Sequence, residues 1–512
     1  MERAIFRSST LWALIPVVSA AVVYFPLTQN YFWADDFFSL YRIRNGPLAE
    51  YIFMPLGGHL LVTTFGIFYL SYLAFGTRPE PYFVCVLLLH LVNVALLFAV
   101  ARRVTRSDRA ACFAALLWGT SPRLEGSLGW YSVFGHVIVG TALLCLLYEL
   151  TTVEQTGAAS WRRRVGWLAL LLIAATSFGT GIGVVLMLPA VAFLVIPPTP
   201  IRARLTASLL GCAVGVLALY VALHRVTLPN YDAFNLVSRA SGTVGQYFFV
   251  VLADLLRYGI STSMLGALWP RPRLEAPLTW VMLGIYIIVL LVPLLGGSAR
   301  SRRYTLACLL LMLGCYALIA VGRQNFYPSN PGLAGSDRYY YVGALVTVLA
   351  LCIAVAEAAR HIRDRGLAAF DDRPVGRRLD AIATAVLVAW ASALMAVRLA
   401  YGPAINHHDA ARRETAAVVQ QVRQAVAAAP PGADVYIENR PFRAMGPIFV
   451  HAAAFPGFAG VFVIFFPDNV VDGRRVYFVE PEQRYFAPAN GGRRSATLLV
   501  ASAPITHEPT VR

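Results

Sequence analysis

The stretch "YFWADDFFSL", Tyr31 to Leu40, sets two adjacent carboxylates among aromatic side chains, shortly after an apolar run that begins near Leu11. The chain around it is 58% hydrophobic and only 14% charged, with a mean hydropathy of +0.62. That composition predicts a polytopic membrane protein whose core is a helical bundle in lipid. A carboxylate at the edge of a span costs free energy unless it meets water, a partner or a substrate. The Asp35–Asp36 pair therefore decides which end of the bundle works.

Working outward, the first question is whether the run before the pair crosses. "MERAIFRSSTLWALIPVVSAAVVYF" has the basic start and small-residue "VSA" of a signal peptide, but about 17 apolar residues are enough to cross, which favours a retained first span. The formal charge of +16 comes from 43 Lys and Arg against 27 Asp and Glu, and many of the Arg residues sit in short loops between apolar runs. This is the pattern of cytoplasmic loops rather than of a nucleic-acid surface. Placing 101–109, 161–166, 201–205, 298–304 and 359–378 inside predicts about eleven spans: near 11–28, 81–101, 110–121, 132–151, 166–178, 181–196, 206–223, 278–296, 304–321, 339–358 and 379–400. The N-terminus is then cytoplasmic and the Asp pair extracytoplasmic. Parity requires that 59–76 and 243–268 do not cross, so they read as interfacial helices at the outer face, the second with Asp254 and Arg257 on its wet side.

After residue 403 the composition changes. The transmembrane domain, 1–403, gives way to a small α/β extracytoplasmic domain, 404–512: an amphipathic helix, a Pro-Pro-Gly turn, a strand at "DVYIE", and further strands at "GVFVIFF", "RVYFVEP" and "ATLLVASA". All seven cysteines fall in apolar segments and show no disulfide or zinc spacing.

Five stretches occur in order over residues 30 to 345: "FWADDFFSL", "MPLGGHLL", "LLLHLVNVALLFAVARRV", "SPRLEGSLGWYS" and "SDRYYYVGAL". In these the chain resembles the GT-C superfamily of membrane glycosyltransferases, in particular bacterial relatives of protein O-mannosyltransferases and of tetratricopeptide-containing transmembrane mannosyltransferases. It departs from the pattern where Leu60, rather than an Arg, follows His59, and where Glu125 lies one position nearer Pro122. The resemblance implies a GT-C-like fold, a polyprenyl-phosphate sugar as donor and a glycan, lipid or protein as acceptor, with no nucleic acid involved. No metal ligands are assigned, and a divalent cation is left open.

Such transfer needs an acceptor hydroxyl made nucleophilic and a departing phosphate whose charge is neutralised. A carboxylate takes the hydroxyl proton, and apolar neighbours such as Trp33, Phe37 and Phe38 raise its pKa toward a useful value. Adjacent side chains diverge, so one acid faces the acceptor. The resemblance implies Asp35 as base, with Asp36 on acceptor, donor or an ion. Arg matches phosphate oxygens bidentately, which makes Arg338, next to Tyr339, the first candidate and Arg323 the second; the competing reading for either is a snorkelling interfacial side chain. Glu125 suits sugar hydroxyls or a cation, or else a loop ion pair. His59 lies near the site. His90 and Asn93 share one helical face and serve either substrate or helix–helix hydrogen bonding, and His136 is a weaker candidate.

"GTGIG" at 179–183 lacks the spacing of a nucleotide loop and reads as a tight hairpin, and His407–His408 reads as a polar linker. The reading is an inverting glycosyltransferase of a bacterial-type cytoplasmic (inner) membrane, working on the periplasmic side. The alternatives are a transporter or lipid flippase, which usually shows inverted repeats and midplane broken helices, and a catalytically idle scaffold of envelope assembly. Reporter fusions at 101–109 and 359–378 should give cytoplasmic signals, and fusions beside Asp36 and after residue 403 periplasmic ones; a cytoplasmic signal after 403 breaks the parity argument.

Overall fold

A helix in hydrocarbon satisfies its own backbone, so a chain of this composition becomes an array of apolar helices. The computed structural model describes residues 2–56, 59–227, 244–265, 276–324, 330–366, 408–443, 457–466 and 470–479, together with 327, 328, 389, 393, 396 and 468. Among them seven helices are long and apolar enough to cross a bilayer: Thr10–Gln29, Pro79–Thr105, Tyr131–Thr156, Pro200–Leu223, Pro277–Gly296, Ala299–Arg323 and Tyr341–His361. The protein is a polytopic, mostly α-helical membrane protein.

In chain order the helices are α1 (Glu2–Tyr24), α2 (Asp35–Asn45), α3 (Leu48–Phe53), α4 (Val62–Phe75), α5 (Pro79–Thr105), α6 (Asp108–Gly119), α7 (Glu125–Leu128), α8 (Gly135–Thr156), α9 (Trp161–Ser177), α10 (Gly179–Val195) and α11 (Pro200–Thr227). They continue as α12 (Val244–Leu265), α13 (Pro277–Leu291), α14 (Ala299–Arg323), α15 (Tyr341–Gly366), α16 (Asp409–Ala428) and α17 (Gly457–Phe465). A two-residue hairpin, β1 (Pro55–Leu56) with β2 (His59–Leu60), precedes α4.

Three of the eleven expected spans fall short of that length. At 1.5 Å per residue α6 rises only about 18 Å, and it stops at the level of His90, well short of the Pro79 end of α5, where His90 meets the Gly119 carbonyl. Helices α9 and α10 have 17 residues each. The expected span 379–400 lies outside the described residues save three single positions. The segment 59–76 gives the hairpin strand and α4. In α12, Arg257 is 7% exposed, pairs with Asp254 at 3.0 Å and lies 4.6 Å over Trp280, so this charge is buried against α13 instead of facing water.

The basic loops gather at one end of the bundle. There Arg103 of α5 donates to the Thr152 and Tyr148 hydroxyls of α8 at 2.6 and 2.5 Å, Arg163 of α9 pairs with Glu149 at 2.5 Å, and Arg300 of α14 pairs with Glu154 at 2.8 Å. Glu357 of α15 accepts from Ser298 at 3.2 Å and from Arg360 at 2.6 Å. The other end carries the residues around Asp35.

The C-terminal unit has α16 packed on a three-stranded sheet of order β3–β5–β4, where β3 (Val435–Glu438) runs parallel to β5 (Arg474–Val479) and β4 (Val470–Val471) antiparallel to it. The expected strand at "GVFVIFF" is instead the helix α17, buried from Ala459 to Ile464 and packed on α2. A short apolar run without alternation fits either period, and full burial removes the polar face that distinguishes them. "ATLLVASA" and the boundary at 404 lie outside the described residues.

Candidate functional site

The loop between α1 and α2 is set by one carboxylate. Asp36 Oδ1 accepts from the Ser132 backbone N–H at 2.7 Å and the Ser132 hydroxyl at 2.6 Å, and Oδ2 accepts from the Trp33 N–H at 2.9 Å. The residue is fully buried, and burial pushes its carboxyl up to about 7 against the pull of these donors. Both oxygens are engaged by these protein donors, whereas the sequence reading expected a contact with acceptor, donor or an ion. Asp36 positions the loop. Just before it, buried Ala34 holds φ 44°, a conformation that costs an L-residue of order 1–3 kcal/mol and persists only where the surroundings impose it.

Asp35 is different. It is partly exposed, and its Oδ1 has no partner among the described residues. Burial pushes its carboxyl up to about 6, while Arg338 and Arg323, both within electrostatic reach, pull it down.

Arg338 sits in a 3-10 turn, Asp337–Tyr339, held by residues that the sequence reading did not single out. Arg123, 2% exposed, pairs with Asp337, and the Ser127 hydroxyl donates to the Arg338 carbonyl at 3.0 Å. A Cβ on Gly126 would lie 2.6 Å from the Arg338 nitrogen, so only glycine lets α7 close on this turn. The Arg338 guanidinium lies 5.3 Å over Trp130 and 5.2 Å over Tyr339, and donates to the Tyr339 hydroxyl at 3.2 Å. Arg323 lies 5.8 Å over the same Tyr339 ring. Two guanidiniums thus flank one tyrosine. An Arg in the "SPRLEG" stretch was the available signal for Arg123.

Tyr339 and Arg323 open onto a small, partly open cavity shared with His59, His136, Phe178 and the start of α10. The hairpin brings His59 in, fixed by the Leu60 N–H donating to the Tyr220 hydroxyl at 3.1 Å. His136 stands beside Phe178, ring centroids 3.9 Å apart. Glu125 is buried at the start of α7, next to the Arg338 turn but not in the cavity wall.

His90 and Asn93 are not brought to the cavity. Both are 0% exposed. His90 bonds the Tyr341 hydroxyl at 2.9 Å and the Gly119 carbonyl at 3.0 Å, and Asn93 donates to the Val137 carbonyl and the Tyr341 hydroxyl, each at 3.0 Å. Both take part in helix–helix hydrogen bonding, one of the two readings that the sequence leaves open. His408, expected in a polar linker, is buried: it stacks on Trp33 with ring centroids 5.3 Å apart and bonds the Gly129 carbonyl at 2.7 Å. His407 lies outside the described residues. Among those residues no group of three or more His, Cys, Asp or Glu side chains could hold a metal ion.

No protein-family model matches the chain. No curated protein matches it either. Among solved structures, the chain is similar to ArnT from Cupriavidus metallidurans bound to undecaprenyl phosphate, at 14% identity and TM-score 0.47 over 92% of this chain and 93% of that one. It is also similar to the Archaeoglobus fulgidus oligosaccharyltransferase complex with zinc and sulfate, at 13% identity and TM-score 0.38 over 86% of this chain and 61% of that one.

The unequal roles of the two acids are testable by stability. Asp36→Ala leaves the Trp33 and Ser132 N–H groups without their acceptor and should cost about 2–4 kcal/mol. Asp36→Asn, which keeps one acceptor, should cost less, and Asp35→Asn least. Thermal unfolding of the purified variants in detergent reads this order; equal losses for Asp35→Asn and Asp36→Ala would contradict it.

Proposed function

We propose that the protein is a GT-C-like inverting glycosyltransferase of a bacterial inner membrane. It moves a sugar from a polyprenyl-phosphate donor to an acceptor hydroxyl on the periplasmic side. The observation that carries this reading is Asp35: a carboxylate with an uncommitted oxygen, held at the end of the bundle within electrostatic reach of two arginines. A base that takes a hydroxyl proton and cations that receive a leaving phosphate are the two requirements of the reaction. The five ordered stretches of resemblance supply the donor class.

In this reading Asp35 accepts the proton of the acceptor hydroxyl as its oxygen attacks the anomeric carbon from the face opposite the phosphate. The glycosidic C–O bond breaks, and its electron pair leaves on the phosphate oxygen. Arg338, close to both Trp130 and Tyr339, meets the charge that grows there, with Arg323 near the same Tyr339 ring. Asp36 holds the loop in the conformation that presents Asp35.

Asp35→Asn should leave the protein folded and lower turnover by ~10²–10⁴-fold, the worth of a positioned general base. The assay is acceptor-dependent release of polyprenyl phosphate from a labelled lipid-linked sugar. Since the base must be ionised, the wild-type rate should rise with pH through about 6 and then level off. Near-normal turnover in Asp35→Asn would end this reading.

Arg338→Lys keeps the charge but loses the planar fork, so an intermediate defect is expected, with a severe one for Arg338→Ala. The loss should appear in kcat as well as in donor affinity, because the phosphate charge is greatest in the transition state. Transport of the lipid-linked sugar across vesicles without any release of polyprenyl phosphate would assign the protein to another class.

A further inference from the structure

The helix α10 begins at the cavity without a capping side chain: Phe178, at its N-cap, makes no side-chain bond to the first turn, and Gly179 and Thr180 form part of the cavity wall. The first turn of a helix presents N–H groups that lack an intrahelical i−4 partner and the positive end of the helix dipole; here the Gly181 N–H already meets the Phe178 carbonyl at 2.9 Å, so Gly179 and Thr180 carry the turn's offer. Gly179 also permits a close approach, since a Cβ there would lie 2.6 Å from His59 Cε1. Alone, this would be only a helix end.

A second observation points to what the end faces. His136 is 1% exposed and lines the same cavity, and its Nε2 has no partner among the described residues. Its Nδ1 is 3.2 Å from the Thr180 hydroxyl, on the first turn of the same helix. When Thr180 donates to Nδ1, the ring hydrogen resides on Nε2, and the imidazole becomes a neutral donor. Among the described residues the cavity wall carries Arg323 and no carboxylate. Donors, a helix N-terminus and a guanidinium therefore face the same space, with no acid among the described lining residues.

We infer that the cavity seats a phosphate monoester through His136 Nε2–H and the first turn of α10. The inference rests on the function proposed above, and it extends the phosphate contact from Arg338 and Arg323 to residues outside the five stretches of resemblance and to His136. His136 acts here as a binding residue and takes no proton. Its orientation comes from Thr180, which makes Thr180 a positioning residue.

The test uses the full-length chain in detergent with three probes: undecaprenyl phosphate, inorganic phosphate and undecaprenol. His136→Phe keeps a ring of similar size and removes the donor, and should weaken undecaprenyl phosphate binding about tenfold or more, the worth of a hydrogen bond to a charged group. His136→Gln, which restores an N–H, should bind within a few-fold of wild type. Thr180→Val removes only the orienting hydroxyl and should weaken binding by a smaller factor, which keeps the idea testable if His136→Phe does not fold. Undecaprenol binding should be the same in all variants. Inorganic phosphate separates the sources. Competition by it that is lost in His136→Phe means that the seat takes phosphate alone, and a loss confined to undecaprenyl phosphate means that it takes the lipid headgroup.

Undecaprenyl phosphate and inorganic phosphate that bind folded His136→Phe and Thr180→Val as they bind wild type overturn the inference, even if Asp35→Asn abolishes transfer. Conversely, phosphate binding that depends on His136 in a protein that never transfers sugar leaves the seat standing and removes the proposed function.

Discussion

One buried carboxylate organises the site end of the molecule. Asp36 draws the backbone N–H of Trp33 and two donors from Ser132, 96 residues away, onto its two oxygens. Removing such an ion from water is expensive and is tolerated where hydrogen bonds satisfy the charge. The three bonds do this, and they join the loop after α1 to the loop before α8. With Asp36 anchored in this way, the strained backbone at Ala34 is held in place. The conformation of the loop that carries Asp35 thus depends on its neighbour's bonds to a distant serine.

At the opposite end the chain uses charges differently. Arg103, Arg163 and Arg300 all reach α8, whose Glu149 and Glu154 lie near its C-terminal end, and Glu357 does the same for α15. These contacts fasten the helix ends at the basic face, so the loops that predict the topology also brace it.

Much of this was legible in the sequence, for identifiable reasons. Long apolar runs such as 81–101 and 304–321 can satisfy their backbones only as helices, so their spans appear directly. The "DD" pair was conspicuous because charge is scarce. That Asp36 is the acid bonded into the fold was not legible, because its partner Ser132 lies far along the chain and no local pattern records it. His90 and Asn93 looked alike as ligands or as glue until Tyr341, Gly119 and Val137 appeared beside them. His408 and Arg123 were passed over because a lone charged or polar residue in a loop is usually solvated, and both owe their burial to tertiary partners. The span at 110–121 was overestimated because apolar composition does not reveal where α6 gives way to irregular backbone, which the protein interior then shelters.

The contacts of the C-terminal unit govern the order in which this protein can mature. Phe442 packs edge-on against Phe37, His408 stacks on Trp33, and Arg412 donates to the Asn30 carbonyl, 382 residues upstream. Ribosomes make the Asp35 loop first and its covering last. Contacts of such separation close late and slowly. The first loop therefore reaches its finished shape only after residues 408–443 have been made and have folded onto it, so assembly of this end of the molecule trails the helices between them.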